Sequence, residues 1–247
     1  MYSILEHYLS TNHILMIGMI VTFILTFFLL EHPFSFLPSD QGRAFAVNGS
    51  LSKGKLRGVG FIFVLCFLIS SVLFLPLDVE YVIYGILLFA MMISGYLDDA
   101  SKTPWNEYKK GLIDLVISVV AVLTYMNFNS TTICFGADEI VIPKALFLIL
   151  GVILIWVSVN VTNCTDGVDG LCASLCSVTL LAFGVLFAPI LQKYAMANFL
   201  FLSVLFAYLY FNSSPSSMLM GDAGSRALGF YIAVIALKST HPFIYLL

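Results

Sequence analysis

Long apolar runs parted by short polar stretches organise this chain. Runs suited to crossing a bilayer fall at about 13–31, 58–77, 81–97, 111–128, 145–161, 169–189, 194–211 and 225–237. A helix takes roughly 17–25 apolar residues to span the hydrocarbon core. A ninth run opens at Phe243-Ile244-Tyr245-Leu246-Leu247. No strand-rich domain or low-complexity linker interrupts the series. The stretch Thr131 to Ile142 mixes β-branched residues with Gly136-Ala137-Asp138. It predicts a short hairpin between the fourth and fifth spans, on the extracytoplasmic face. The pattern as a whole predicts an all-α, polytopic transmembrane helical bundle. Residues 1–247 form one integral membrane domain of eight complete spans and the start of a ninth.

Composition agrees with that reading. The chain is 60% hydrophobic and 10% charged, with a mean hydropathy of +1.01. A soluble domain carries about 25% charged residues, so lipid is the expected surrounding. The first apolar run is long enough to stay, and no cleaved signal is expected. The net charge of -3 says little, because the charges are confined to loops. Cys66, Cys134, Cys164, Cys172 and Cys176 show no CxxC pair, and His7, His13, His32 and His241 are scattered. A zinc site is not expected, nor is a nucleic-acid partner.

Basic residues orient the bundle. Arg43, Lys53, Lys55, Arg57, Lys102, Lys109, Lys110 and Arg226 fall on one side, eight in all, against Lys144, Lys193 and Lys238 on the other. The odd-numbered loops are therefore expected in the cytoplasm. Asp98, Asp99, Asp166, Asp169 and Asp222 sit at span ends and all open to that same side. Charges at membrane depth cost roughly 2.5–3.5 kcal/mol each on insertion scales. A shared polar cavity is the simplest account of acids drawn from three loops.

Asp98-Asp99 ends the third run after Gly95-Tyr96-Leu97. Adjacent carboxylates repel, and a divalent cation or a proton offsets that; standing alone, the pair also suits a solvated helix end. In the loop from Asn160 to Leu171, Asn160, Asn163, Asp166 and Asp169 recur every third residue. Such groups hydrogen-bond a nucleobase, a ribose or metal-bound water; the bland reading is a capped re-entrant turn. Gly221-Asp222-Ala223-Gly224-Ser225 is a glycine-rich turn entering a helix, a place that favours anions such as phosphate. Lys53, Lys55 and Arg57 read as a topology signal or as contacts to phosphate or lipid headgroups.

These three motifs, in this order and on one face, resemble the polyprenyl-phosphate N-acetylhexosamine-1-phosphate transferase superfamily, from about Lys53 onward. Within it, the chain is similar to the branch whose donor is UDP-MurNAc-pentapeptide. Lys110-Gly111-Leu112 follows the aspartate pair, Thr165 precedes the first Asp-Gly, Ala227-Leu228-Gly229 follows Gly-Ser, and Lys102 stands where GlcNAc-transferring relatives usually have an acid. The resemblance implies transfer of phospho-MurNAc-pentapeptide from UDP-MurNAc-pentapeptide to undecaprenyl phosphate, giving lipid I and UMP at a cytoplasmic-face site in the bacterial cell membrane. It implies Mg²⁺ as cofactor, contact with membrane lipids, a homodimer and a target for nucleoside antibiotics.

Carried over by position, Asp98 and Asp99 match acids that deprotonate or position the lipid phosphate, and Asp222 matches a catalytic aspartate that binds the metal. Asn163, Asp166 and Asp169 match uridine- and inhibitor-facing residues. Asn212 matches an asparagine upstream of the metal aspartate. Lys53, Lys102, Asn160, Gly221 and Ser225 complete the implied substrate-binding set. Departures are equally plain. Lys55-Leu56-Arg57-Gly58-Val59-Gly60 stands where relatives often have Gly-Thr-Pro-Thr-Met-Gly-Gly. Leu219 replaces a uracil-stacking phenylalanine, and a further lysine is not seen around Asp114-Leu115. The family also has further C-terminal spans and a histidine-rich loop that His241 does not match, so the resemblance implies spans beyond this chain. The nearest rival is the GlcNAc-1-phosphate branch. A transporter or lipid flippase is the rival of another class, but it needs groups at the midplane and access from both sides.

Overall fold

The computed structural model describes every residue except 33, 41, 43–51, 102, 104, 136–137, 243–244 and 246–247. Lys102, Arg43 and most of the ninth run therefore lie outside the described residues. Among the described residues the chain forms α1 (Tyr2–Leu5), α2 (Thr11–Glu31), α3 (Gly60–Phe74), α4 (Val79–Asp99) and α5 (Glu107–Phe128). Strands β1 (Thr132–Phe135) and β2 (Asp138–Val141) follow, then α6 (Lys144–Thr165), α7 (Leu171–Leu186), α8 (Gln192–Asn212) and α9 (Gly221–Lys238). Helices α2 to α9 stand at the eight positions read from the apolar runs. Pro76, Pro143 and Pro189 lie in the connections, as residues that lack an N–H and clash with the preceding turn should.

Helices α2, α4, α5, α6 and α8 are long and apolar enough to cross a membrane. Helices α3 and α7 are shorter, at 15 and 16 residues. The outer helices expose large apolar side chains, among them Met16, Ile20 and Phe28 of α2, Leu112 and Val116 of α5, and Ile149 and Ile153 of α6. Each such side chain would forgo about 1.5–3 kcal/mol of burial in water. Lipid removes that cost, and the protein is a membrane-spanning helical bundle.

Helix α9 is the exception that organises the rest. Each residue from Gly221 to Lys238 is buried, because α3, α4, α5, α6 and α7 surround it. The hydropathy pattern presents it as one more span, but it is a central pillar. Protein on every side lets it carry Asp222, Arg226 and Lys238 with partners, which a lipid-facing helix cannot provide. The predicted hairpin is present: β1 and β2 pair antiparallel, with Ile133 opposite Ile140. The Cys134 N–H donates to the Thr240 carbonyl at 2.8 Å, so the hairpin sits at the Lys238 end of the pillar, opposite Asp222.

Candidate active site

The N-terminus of α9 is pressed into its neighbours by residues without side chains. A Cβ on Gly95 of α4 would lie 2.4 Å from the Asp222 carbonyl oxygen, so the helices touch backbone to backbone there. Gly221 has φ +67, and a Cβ on it would lie 2.3 Å from an Asp99 carboxylate oxygen. Only glycine serves both needs. The contact brings the Asp98-Asp99 end of α4 against the Asp222 end of α9.

Asp98 and Asp99 sit at a helix C-terminus, where the dipole disfavours negative charge. The neighbours compensate. Asp99 accepts the Ala223 N–H at 3.1 Å and so caps the first turn of α9. Asp98 accepts the Trp105 N–H at 2.7 Å. Two bases serve the three acids jointly. Lys110 Nζ lies 2.6 Å from Asp98 and 3.2 Å from Asp222. Arg57 reaches Asp99 at 2.8 Å, Asp222 at 3.2 Å and Asp40 at 3.4 Å. Burial alone would lower the Arg57 pKa, but Asp99, Asp222 and Asp40 outweigh it and raise it. The guanidinium stays charged.

Arg57 is held there by its backbone. Its N–H donates to the Pro38 carbonyl, and Leu56 bridges Ser39 on one side and Met218 on the other. The strip from Lys55 to Gly60 thus runs between the end of the α2 loop and the entry to α9. Lys55 faces the loop after α6. Its Nζ donates to Ser216 Oγ at 2.8 Å and lies 3.7 Å from Asp169. Asp169 also accepts the Ser216 N–H at 3.0 Å. Partial burial pushes the Asp169 carboxyl up, but the Ser216 N–H and hydroxyl and Lys55 outweigh it and hold it below the usual range.

Asp98, Asp99 and Asp222 therefore converge. Asn163 joins them at one remove, accepting the Ser225 hydroxyl at 2.8 Å. Asn212 is occupied by backbone: it accepts the Gly170 N–H at 3.0 Å and donates to the Met218 carbonyl at 2.9 Å, clamping the Asp166–Gly170 turn to the entry of α9. Asn160 donates to the Trp156 carbonyl of its own helix at 2.7 Å. Asp166 is buried, and Lys53 is exposed. Arg57, Lys110 and Asp40 were not among the sequence-derived site residues. In the sequence Arg57 reads as a topology signal or a phosphate or headgroup contact, Lys110 as a topology signal and a mark of the branch, and Asp40 lies in no motif.

Among the described residues, four buried carboxylates (Asp40, Asp98, Asp99, Asp222) face two bases, a formal excess of two negative charges. Among the described residues no three acid, histidine or cysteine side chains form a ready metal cage. Mg²⁺ does not require one, since it takes one or two carboxylates and fills its shell with phosphate and water. In charge and donor type, Asp99 and Asp222 fit it.

Comparison with known proteins places this arrangement in context. The model of a family described as glycosyl transferase family 4 matches residues 81–240. A phospho-N-acetylmuramoyl-pentapeptide-transferase of Treponema pallidum is 35% identical, over 94% of this chain and 70% of its own length. One of Microcystis aeruginosa is 31% identical over 74% of this chain and 53% of its own. One of Halalkalibacterium halodurans is 29% identical over 92% and 76%.

Proposed function

The chain belongs to glycosyl transferase family 4, and from that premise we propose that it transfers phospho-MurNAc-pentapeptide from UDP-MurNAc-pentapeptide to undecaprenyl phosphate. One observation in the structure carries the assignment of the site: Asp98, Asp99 and Asp222, drawn from two helices, share Lys110 and Arg57. The lipid phosphate oxygen attacks the β-phosphorus. A new P–O bond forms there, the bond to the α-phosphate breaks, and UMP leaves with its electron pair.

Both reactants are anions, so repulsion is a large part of the barrier. Mg²⁺ held by Asp222, with Asp99, would neutralise charge and act as a Lewis acid on the phosphoryl oxygens. Lys110 bridges Asp98 to Asp222 and fixes their separation. Asp98 acts as base toward the lipid phosphate or as its positioner. Arg57 offers a fork of donors suited to phosphate. Asn163, Asp166 and Asp169 flank this point and would receive the uridine. The count of basic residues supports a cytoplasmic position for the Asp222 end of the bundle, and the family resemblance supports a homodimer.

The test is UMP release by purified protein given undecaprenyl phosphate and either UDP-MurNAc-pentapeptide or UDP-GlcNAc, with Mg²⁺ or with EDTA. Release with the first donor and Mg²⁺ only is expected. Release with UDP-GlcNAc alone would move the protein to the rival branch, and full activity in EDTA would remove the metal.

A further inference from the structure

Arg57 lies before residues 81–240, the part that the family model matches, and no role is carried over to it from the family. Its three partners are all acids, and two of them, Asp99 and Asp222, are the residues assigned to the metal. One Asp99 oxygen meets Arg57 Nε and the other the Ala223 N–H. One Asp222 oxygen meets Arg57 Nη2 and the other Lys110 Nζ. No oxygen of either carboxylate is left without a positive or N–H partner. Each oxygen keeps a second lone pair, but a divalent cation on it would sit against the guanidinium, ammonium or N–H already bonded there.

The geometry identifies what gives way. The side chains of Asp99 and Asp222 are 0% and 8% exposed, that of Lys110 is 15%, and that of Arg57 is 30%. The guanidinium thus lies on the open side of the acids. Its backbone is pinned by the Pro38 and Leu219 pairings on either side, which leaves the side chain as the moving part. Lys110 is fixed between two acids of different helices, and the Ala223 N–H belongs to α9 itself.

We propose that Arg57 is a built-in competitor of the divalent cation. Without substrate it neutralises Asp99 and Asp222 and keeps metal affinity low. When the donor arrives, the guanidinium leaves the carboxylates for the diphosphate, and the cation enters with it. Metal binding is thereby tied to donor binding. This rests on the metal assignment made above.

Mn²⁺ binding to the detergent-solubilised full chain, followed by electron paramagnetic resonance, tests it without turnover. A guanidinium bonded to the metal's own carboxylates opposes a second cation there, because charges this close are only partly screened at a protein's effective dielectric. In the absence of donor, Arg57→Gln should therefore bind Mn²⁺ at least about tenfold more tightly than the wild type. Arg57→Lys should fall between them, because an ammonium reaches fewer acids than the fork. With UDP-MurNAc-pentapeptide present, the wild type should gain affinity and the gap should close. Equal or weaker donor-free affinity in Arg57→Gln, in protein that melts like the wild type, overturns the inference. If that variant does not fold, Arg57→Lys decides, and wild-type affinity in it overturns the inference too. Failure of the wild type to bind Mn²⁺ even with donor removes the metal assignment and this inference together, whereas a donor-independent Mn²⁺ affinity removes this inference alone.

Discussion

The two ends of α9 each bury a charge, and their surroundings treat it differently. At the far end Lys238 donates to both Glu80 oxygens at 3.1 and 2.9 Å and to Asn129 at 2.6 Å. Asn129 and Tyr84 in turn donate to Glu80 at 2.7 and 3.1 Å. One acid meets one base, and all three ammonium protons have acceptors. The rings of Tyr125 and Tyr194 lie 5.7 and 5.1 Å from the ammonium. At the near end, Asp222 belongs to a group that, among the described residues, has four buried acids and two bases. A closed, neutral cluster has nothing left to bind. A cluster with surplus charge, facing an opening, is unfinished until a cation or a substrate arrives. Buried charge alone does not mark function; its imbalance does.

The largest effect should come from opening the closed end. Lys238→Ala leaves Glu80 buried without its base, and breaking a buried pair costs about 3–5 kcal/mol. Thermal melts in detergent should show that loss, while UMP release per folded molecule stays near wild type. A collapse of turnover at normal stability would mean that the far end also serves the reaction.

Asp222→Asn should do the reverse. Turnover should fall at least about a hundredfold, the scale of a lost electrostatic contribution. Stability should hold or rise, since one of the surplus negative charges is gone. A variant with near wild-type UMP release would leave the imbalance without a function.

This contrast also separates what the residues announced from what they did not. Apolar runs placed eight helices, since a bilayer dictates their length and hydropathy. The acids of the near end were legible because Asp98-Asp99 and Gly221-Asp222 are local motifs. Their pairing with Lys110 and Arg57 was not, because both bases double as topology signals, and Arg57 reads at most as a phosphate or headgroup contact. The far-end pair joins Glu80 to Lys238 across most of the chain, and nothing local in either residue points to the other. The central place of α9 was also hidden. Its apolar stretch looks like any span, and only the packing around it shows that lipid does not touch it.

Between the two ends lies a case that sharpens the rule. One turn inward from Lys110 and Asp222, Asp114 and Arg226 form a buried ion pair between the same two helices. The signs are crossed, with base then acid on α5 and acid then base on α9. Nε and Nη1 of Arg226 meet no hydrogen-bond partner among the described residues. A balanced pair that is imperfectly satisfied should be replaceable by apolar residues of similar volume. The double change Asp114→Leu with Arg226→Met is expected to shift stability by no more than about 2 kcal/mol. Turnover should fall less than about tenfold, because Lys110 and Asp222 remain. Melts and UMP release on the double variant check both. A loss as large as that of Asp222→Asn would extend the catalytic machinery one turn into the bundle.

The smallest effect is expected at the rim of the closed end. Asp78 caps α4 by accepting the Tyr81 N–H at 2.8 Å, and it pairs with Lys193. Its side chain is 55% exposed, so water and salt screen the pair to about 0–1 kcal/mol. Asn is as good an N-cap as Asp. Asp78→Asn therefore keeps the cap, removes only the ion pair, and should cost no more than about 1 kcal/mol. The pH dependence has a definite sign. Burial pushes the Asp78 carboxyl up, but Lys193 and the Tyr81 N–H outweigh it and hold its pKa below the ordinary value. A depressed folded pKa gives stability that is present above the unfolded value, about 3.9, and lost as pH falls through the folded one. The gap between wild type and Asp78→Asn should thus be full at pH 7 and shrink toward zero in acid, and added salt should narrow it as well. A gap of several kcal/mol, unchanged by salt or acid, would place Asp78 inside the closed cluster rather than at its rim.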